Sequence, residues 1–288
     1  MNTPSKVLVL GASGMLGHVV LRWFARQGRH EVSGSVRSEA ARRRLPAELH
    51  EHIVTGVDVE NLDGLAQLFA TVRPTVVVNC IGLVKQLAQA DEPLVALPIN
   101  ALLPHRLARL CALVEARLVH ISTDCVFSGR RGSYSESDTP DAEDLYGRSK
   151  LLGEVSAAPT VTLRTSIIGP ELGSAHGLVE WFLAQPGPVR GYTRAVFSGL
   201  PTVELARVIH DFVLPHPGLT GLYHVSAEPI TKCDLLQRVA RTYRRATEIR
   251  PDDAVVIDRS LDSTRFRAAT GYVPPNWNDL VATMHHLG

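Results

Sequence analysis

A tyrosine and a lysine four residues apart, Tyr146 and Lys150, have the types and spacing that proton transfer needs. Residues at this separation lie on one face of a helix. A phenol has an ordinary pKa of ~10, and a cation held nearby favours the phenolate and lowers that pKa. We therefore expect Tyr146 to give or take a proton at a carbinol or carbonyl oxygen, with Lys150 lowering the Tyr146 pKa.

Three polar residues, Ser122-Thr123-Asp124, follow directly on the predicted strand 118–121. In an open parallel sheet, ligands bind beyond the carboxyl ends of the strands. We expect Thr123 to hold the reacting oxygen of a substrate at this edge. The alternative interpretation is that these residues only form hydrogen bonds within the turn that ends the strand, as Ser, Thr and Asp commonly do.

A glycine-rich segment, Gly11-Ala12-Ser13-Gly14-Met15-Leu16-Gly17, joins the apolar run 7–10 to a helical pattern. A pyrophosphate can approach a helix N-terminus only where no Cβ blocks it, and the helix dipole then favours its negative charge. The residues expected to bind a dinucleotide here are Gly11, Ser13, Gly14, Met15 and Leu16. A tight strand–helix turn without a ligand is the alternative.

The end of the second predicted strand, 33–38, bears on the choice of dinucleotide. A carboxylate at this place would hold the ribose 2′-hydroxyl of NAD, but the sequence has Arg37 and serines instead. An arginine fork with hydroxyls suits a 2′-phosphate. We therefore predict NADP(H), with NAD(H) as the alternative if Arg37 is an ordinary surface residue.

The elements that would position these residues alternate between strand and helix patterns. Unbroken apolar runs such as Val7–Leu10 and Thr75–Val78 are typical of parallel strands covered on both faces. The predicted fold class is α/β, a doubly wound parallel Rossmann sheet followed by a smaller C-terminal substrate-binding lobe. We place the nucleotide-binding domain at 1–164 and the substrate domain at 165–288.

Composition excludes several classes of protein. The 288 residues carry 30 basic and 29 acidic side chains, so the chain lacks the large excess of positive charge that binding to nucleic acid needs. No apolar run approaches the ~18 residues of a membrane span. Four cysteines without CxxC spacing support neither a disulfide framework nor a zinc site. We expect a soluble cytoplasmic protein without metal.

The stretches GASGMLG (11–17), STDCVF (122–127) and YGRSK (146–150), in this order, give the chain a family resemblance. It resembles the extended short-chain dehydrogenase/reductases, and within them the dTDP-4-dehydrorhamnose reductase branch of nucleotide-sugar reductases. The resemblance implies hydride transfer from a nicotinamide to C4 of a nucleotide-linked 4-keto-6-deoxysugar. It also implies that a segment near 190–205 returns from the sugar-binding lobe to the Rossmann domain.

The resemblance further implies roles for individual positions. Tyr146 would be the proton donor, Lys150 would orient a ribose and lower the Tyr146 pKa, and Thr123 would bond the keto oxygen. Asp58 and Val59 would meet the adenine. The remaining implied cofactor contacts are Cys80, Ile81 and Gly82 between the riboses and Asn100 behind the active-site helix.

Departures from the family pattern concern the sugar pocket and a metal. Cys125 stands where related dehydratases have a glutamate and rhamnose reductases a tyrosine, and Ile167 replaces a tryptophan. The sugar is therefore expected to differ from the rhamnose precursor. Val19 replaces a glutamate of metal-bridged members, so we expect no magnesium. Lys85 is a candidate for binding substrate alongside Asp124, with a solvated loop lysine as the alternative.

Two other functions stay open from the sequence. One is a nucleotide-sugar epimerase of the same fold, which would use no net cofactor. The other is a non-catalytic nucleotide-binding regulator, since one member of the branch resembles such a subunit of methionine adenosyltransferase. The expected partner is a nucleotide-diphosphate sugar, and a homodimer is compatible with the sequence.

Overall fold

The structure is a computed structural model that describes residues 4–83, 85 and 88–287. Its centre is a seven-stranded sheet in which every neighbouring pair of strands is parallel. The strands, in chain order, are β1 (Lys6–Leu10), β2 (Glu31–Ser35), β3 (Ile53–Val54), β4 (Val76–Asn79), β5 (Arg117–Thr123), β6 (Val161–Thr165), β7 (Ile167–Ile168), β8 (Val189–Tyr192), β9 (Ala195–Phe197), β10 (Leu200–Pro201), β11 (Gly221–His224), β12 (Ile230–Thr231), β13 (Ile249–Asp252) and β14 (Ile257–Asp258).

The order of strands in the main sheet is β11-β6-β5-β4-β1-β2-β3, with helices on both faces. The α-helices are α1 (Gly17–Gln27), α2 (Glu39–Arg42), α3 (Leu62–Val72), α4 (Pro93–Ala96), α5 (Leu103–Leu113), α6 (Leu145–Leu152), α7 (Leu178–Leu183), α8 (Thr202–Val208), α9 (Lys232–Thr242), α10 (Thr264–Thr270) and α11 (Trp277–Leu287). The predicted doubly wound fold class is confirmed.

Alternating side chains of the buried strands build two hydrophobic cores. In β1, Val7 and Val9 face the core that α1, α8 and α11 cover, whereas Leu8 and Leu10 face the core under α3 and α5. Because both faces of the strand are covered, an unbroken apolar run is needed rather than an alternating one. This explains why the sequence shows such runs at β1 and β4.

The second lobe is built from small sheets that the sequence pattern did not resolve. They are a β13–β8 pair, a β12–β9–β14 sheet and a β10–β7 pair. Helix α9 begins directly after Thr231, whose hydroxyl accepts from the Asp234 N–H at 3.0 Å. After this lobe begins, the chain returns to the main sheet at β11, Gly221–His224, so the domain boundary at 164 stays a prediction.

A π-helical segment interrupts the helical region that contains Pro98 and Pro104. Residues Leu97–Leu102 form this segment between α4 and α5, and Asn100 lies inside it. Pro98 lacks the N–H that a regular turn would use, which accounts for the wider turn. Among the described residues, no helix has the length and apolar character that crossing a membrane requires.

Candidate active site

A cavity of about 480 Å³ opens at the carboxyl edge of the main sheet, between the glycine segment and the second lobe. Most of the residues singled out from the sequence line it. Those that do are Gly14, Met15, Leu16, Cys80, Ile81, Gly82, Lys85, Ser122, Thr123, Asp124, Cys125, Tyr146, Lys150 and Ile167. Strands that end at one edge bring residues from distant parts of the chain into one cleft.

The glycines of the segment 11–17 allow its backbone to pack closely against neighbouring protein atoms. Gly11 has φ +78°, and a Cβ there would lie 2.8 Å from Ile81 Cγ1. A Cβ on Gly17 would lie 2.1 Å from the Gly11 carbonyl oxygen. The segment therefore brings bare backbone to the start of α1, and this arrangement fits a dinucleotide pyrophosphate.

Helix α6 places Tyr146 and Lys150 on the cavity wall. It begins after Asp144, whose carboxylate accepts from the Gly147 N–H at 2.7 Å. A Cβ on Gly147 would lie 2.3 Å from the Cys125 carbonyl oxygen, so only glycine allows the helix to approach the turn after β5 this closely. This contact brings the half-buried Tyr146 next to Thr123 and Cys125.

The charge state of the pair differs from the sequence-based expectation. Burial, with smaller contributions from Cys125 and from Asp124, raises the pKa of Tyr146, and the contact with Thr123 only partly opposes this. The prediction that Tyr146 has a lowered pKa is therefore wrong for this structure. Burial lowers the pKa of Lys150 to about 8, and its Nζ donates to the Ile121 carbonyl at 2.8 Å. The physical reason is that burial penalises the charged form of each group.

Thr123 lies at the end of β5, with its hydroxyl in the cavity wall. Its oxygen accepts from the Cys125 N–H at 3.1 Å and donates to Asp124 at 3.2 Å. Thr123 therefore forms the hydrogen bonds of a strand-end turn and also lines the cavity. Burial raises the pKa of Asp124, and the Arg259 guanidinium opposes that rise.

Some predicted cofactor residues lie outside the cavity wall. Arg37 is exposed just after β2, and Asp58 is exposed and accepts from the Glu60 N–H at 3.0 Å. Gly11 and Ser13 lie in the glycine segment behind the wall, and Val59 is buried in the core under α3 and α5. Their contacts with a dinucleotide stay predictions.

Asn100 is buried behind α6, where the family resemblance places it. Its Oδ1 accepts from the Leu83 N–H at 2.9 Å, and its Nδ2 donates to the Ser149 hydroxyl at 3.2 Å. These bonds tie the loop after β4 to the helix that carries the tyrosine. Asn100 therefore positions both segments, and its role in cofactor binding stays a prediction.

Lys85 is exposed in the loop after β4 and forms an ion pair there. Its Nζ lies 2.6 Å from Asp144 Oδ2, in an ion pair at the start of α6, and the residue also lines the cavity. The interpretation as a solvated loop lysine stays open, because the residue is exposed even though its side chain has a carboxylate partner. Whether it contacts substrate stays a prediction.

Residues of the second lobe complete the cavity and were missed from the sequence. Lys232 begins α9, Arg259 follows β14, and Glu171 lies in the loop after β7. Arg259 is fixed by a bond from its Nε to the Phe127 carbonyl at 2.8 Å. Their spacing carries no motif, although the scarcity of lysine, four in the whole chain, was a usable signal for Lys232.

Within the described part of the chain, no cluster of three or more histidine, cysteine, aspartate or glutamate side chains has the arrangement of a metal site. Val19 is buried in α1 and packs into the core. Burial raises the pKa values of Cys80 and Cys125 to about 12, so both thiols are protonated wall residues at neutral pH.

Residues 5–286 match the family described as the RmlD substrate binding domain. This chain belongs to that family. The match covers both lobes and the whole cavity, which agrees with the resemblance to the dTDP-4-dehydrorhamnose reductase branch seen in the sequence.

Individual relatives of this RmlD-family chain come from several kinds of organism. The "Probable low-salt glycan biosynthesis reductase Agl14" of Haloferax volcanii is 29% identical over 265 residues, covering 88% of this chain and 83% of that protein. Methionine adenosyltransferase 2 subunit beta of Rattus norvegicus is 32% identical, but over 54% of this chain and 43% of that protein. The crystal structure of dTDP-4-dehydrorhamnose reductase from Bacillus anthracis in complex with NADP is 21% identical, with a TM-score of 0.80 and coverage of 99% of both chains.

A buried histidine near the site makes the stability of this RmlD-family chain sensitive to acid. His224 lies 3.3 Å from Arg164 Nη1, and burial, together with the Arg164 charge, lowers its pKa to about 4. Between pH 6.5 and 4 the unfolded chain binds a proton there and the folded chain does not, so stability falls as pH falls. We expect His224 to account for a loss of about 2 kcal/mol in unfolding free energy from pH 7 to pH 5.

Urea unfolding at the two pH values measures this loss. His224→Gln should reduce the difference between them, whereas His286→Gln, at an exposed position in α11, should leave it unchanged. An undiminished difference in His224→Gln would show that other groups cause the acid sensitivity.

Proposed function

We propose that this chain is an NADPH-dependent reductase of the C4 ketone of a nucleotide-linked 4-keto-6-deoxysugar. The observation that carries the proposal is that Thr123, Tyr146 and Lys150 line one cavity together with the glycine segment. A binding module has no need of a phenol, a hydroxyl and a buried ammonium at the same wall. The similarity to Agl14 and to the Bacillus anthracis reductase supports the same conclusion.

Each of the three residues has a defined task in such a reduction. The bound nicotinamide nucleotide supplies the hydride. Tyr146 donates its phenolic proton to the ketone oxygen as that oxygen becomes a hydroxyl, and a raised pKa keeps the proton on Tyr146 until then. Lys150 then stabilises the phenolate, and Thr123 donates a hydrogen bond to the same oxygen.

NADP(H) is the proposed cofactor, because the Bacillus anthracis structure contains NADP and the end of β2 offers no carboxylate to a ribose. Arg37 is the proposed partner of the 2′-phosphate. NAD(H) is the alternative, since an exposed arginine discriminates weakly between the two nucleotides.

The proposed binding site for the nucleotide diphosphate of the substrate lies on the second lobe. Lys232 and Arg259 are cations on the cavity wall, and diphosphates favour such pairs. Phe197 and Ile257 add apolar surface to the same cavity, where a deoxysugar would lie.

Replacing Lys232 by methionine should therefore raise the KM for the nucleotide sugar about tenfold, because one charge-assisted hydrogen bond is lost. The kcat should change little, since Lys232 is remote from the proton donor in this proposal. Steady-state kinetics measure both constants. Lys6→Met, at an exposed lysine of β1, is the matched control. A kcat loss with unchanged KM would place Lys232 elsewhere in the mechanism.

A panel of nucleotide-linked 4-ketosugars, assayed by the absorbance loss of NADPH, tests the proposed activity. Stoichiometric NADPH consumption with each product formed supports the reductase. Product formation without net consumption would identify an epimerase instead. The similarity to the methionine adenosyltransferase subunit favours a regulatory role as second candidate, and NADPH binding without turnover on any ketosugar would support it.

A further inference from the structure

A buried ion pair between Glu154 and Arg164 lies directly behind the catalytic wall. We propose that Glu154 is a positioning residue that serves as the counter-charge of Lys150 and fixes the end of β5 against α6. The part of this inference that concerns turnover rests on the proposed reductase function. The electrostatic part concerns the protein alone and can be measured without substrate.

Both oxygens of the Glu154 carboxylate accept hydrogen bonds. Glu154 Oε1 accepts from the Ser122 hydroxyl at 2.7 Å and from Arg164 Nε at 2.7 Å. Its Oε2 accepts from Arg164 Nη2 at 2.6 Å. The side chains of Arg164 and Glu154 are only 4% and 11% exposed, so water does not screen these contacts strongly.

The same carboxylate is connected to Lys150 by two routes. Glu154 follows Lys150 by four residues, just past the end of α6, and its charge opposes the effect of burial on the Lys150 ammonium. It also holds Ser122, whose neighbour Ile121 supplies the carbonyl that accepts from Lys150 Nζ at 2.8 Å. One side chain therefore fixes the acceptor of the ammonium and supplies its counter-charge.

Other groups around Lys150 do not replace this counter-charge. The titratable or charged groups on the elements packed around it include Arg117 and His120 on β5, Asp124 and Cys125 on the turn after β5, Asp144, Tyr146 and Arg148 at or on α6, His105 on α5 and Arg164 on β6. Burial and Lys150 itself hold the pKa of His120 well below its ordinary value, so His120 is neutral. The charge of Asp124 acts on Arg259, and Arg164 is a cation.

The small number of lysines makes a direct measurement practical. The chain contains four, Lys6, Lys85, Lys150 and Lys232, so selective ¹³Cε labelling gives four NMR signals that single Lys→Arg variants assign. In the unmodified protein we expect the Lys150 signal to titrate near pH 8. In Glu154→Gln, which keeps the shape but removes the charge, that midpoint should fall by about one unit.

Two further variants separate the electrostatic role from a structural one. Arg164→Met keeps the Glu154 charge and removes its nearest cation, so the Lys150 midpoint should rise. Glu154→Gln with Arg164→Met removes both members of the pair, so neither of them is left as an unpaired buried charge. Because Glu154 acts on Lys150 more strongly than Arg164 does, the Lys150 midpoint of this double variant should lie below that of the unmodified protein, even if Glu154→Gln alone fails to fold. The Lys6 signal serves as internal control, because Lys6 is exposed at the start of β1.

Opposite shifts in the two single variants, or a lowered midpoint in the double variant, would support the counter-charge. A Lys150 midpoint that is unchanged in a folded protein without Glu154 would overturn it. With a ketosugar that the protein reduces, the pH at which kcat changes on the alkaline side of its pH profile should shift together with the NMR midpoint of Lys150. Failure of the unmodified protein to reduce any ketosugar would overturn the proposed function and leave the titration result standing.

Discussion

Phenylalanine in place of Tyr146 should lower kcat about a thousandfold while the affinity for NADPH stays unchanged. General acid catalysis by a positioned side chain contributes factors of about 10² to 10⁴ to the rate, and this variant removes the proton donor but keeps the ring. The ring alone still fills the wall beside Thr123 and Cys125, so the cavity keeps its shape. Single-turnover kinetics with NADPH and fluorescence titration of the nucleotide measure the two quantities.

Tyr192→Phe is the matched control, because Tyr192 is half-buried in β8 and does not line the cavity. It should keep the activity of the unmodified protein. Near-normal turnover in Tyr146→Phe on a substrate that the unmodified protein reduces would remove Tyr146 from its role as proton donor. The pKa of Tyr146 is raised in this structure, so the unmodified enzyme should keep its donor protonated throughout the neutral range.

Alanine in place of Gly17 should lower the affinity for NADPH about a hundredfold and destabilise the chain by about 3 kcal/mol. The new Cβ would lie 2.1 Å from the Gly11 carbonyl oxygen, 2.8 Å from the Gly11 carbonyl carbon and 3.0 Å from Ala12 Cα. All three are backbone atoms, so the glycine segment itself must move away from the start of α1. That movement displaces the N–H groups proposed to hold the pyrophosphate.

Gly187→Ala is the control for this substitution. No heavy atom lies within 4 Å of a Cβ built at Gly187, so the methyl group adds no clash. Isothermal titration with NADPH and urea unfolding should show the loss in Gly17→Ala only. Equal NADPH affinities of Gly17→Ala and Gly187→Ala would contradict the prediction. They would mean that the glycine segment either moves without losing affinity or does not bind the phosphates.

The sequence predicted the fold class because the signals it rests on are local. Buried parallel strands need unbroken apolar runs, helices need a periodic apolar face, and a close strand–helix turn needs glycine. These requirements are visible in β1, α1 and segment 11–17 without knowledge of any partner. The order of motifs then indicated the family that the match over residues 5–286 confirms.

The sequence was less successful with lengths and with the second lobe. The residues 53–57 have the pattern of a strand, whereas β3 ends at Val54. The residues 165–230 show no clean period in the sequence, because the strands there have two to four residues and their partners are far apart in the chain. Short strands leave too few positions for a period to appear.

By itself, the sequence determined which residue types are available for the proposed chemistry, namely the phenol, the ammonium, the strand-end hydroxyl and the glycine segment. Only the tertiary structure decided their surroundings. It brought Lys232 and Arg259 to the same cavity, gave Lys85 its carboxylate partner, and raised the pKa of Tyr146 where a lowered one was expected. The reason is that burial and through-space charge depend on which distant segments meet, and spacing along one helix does not contain that information.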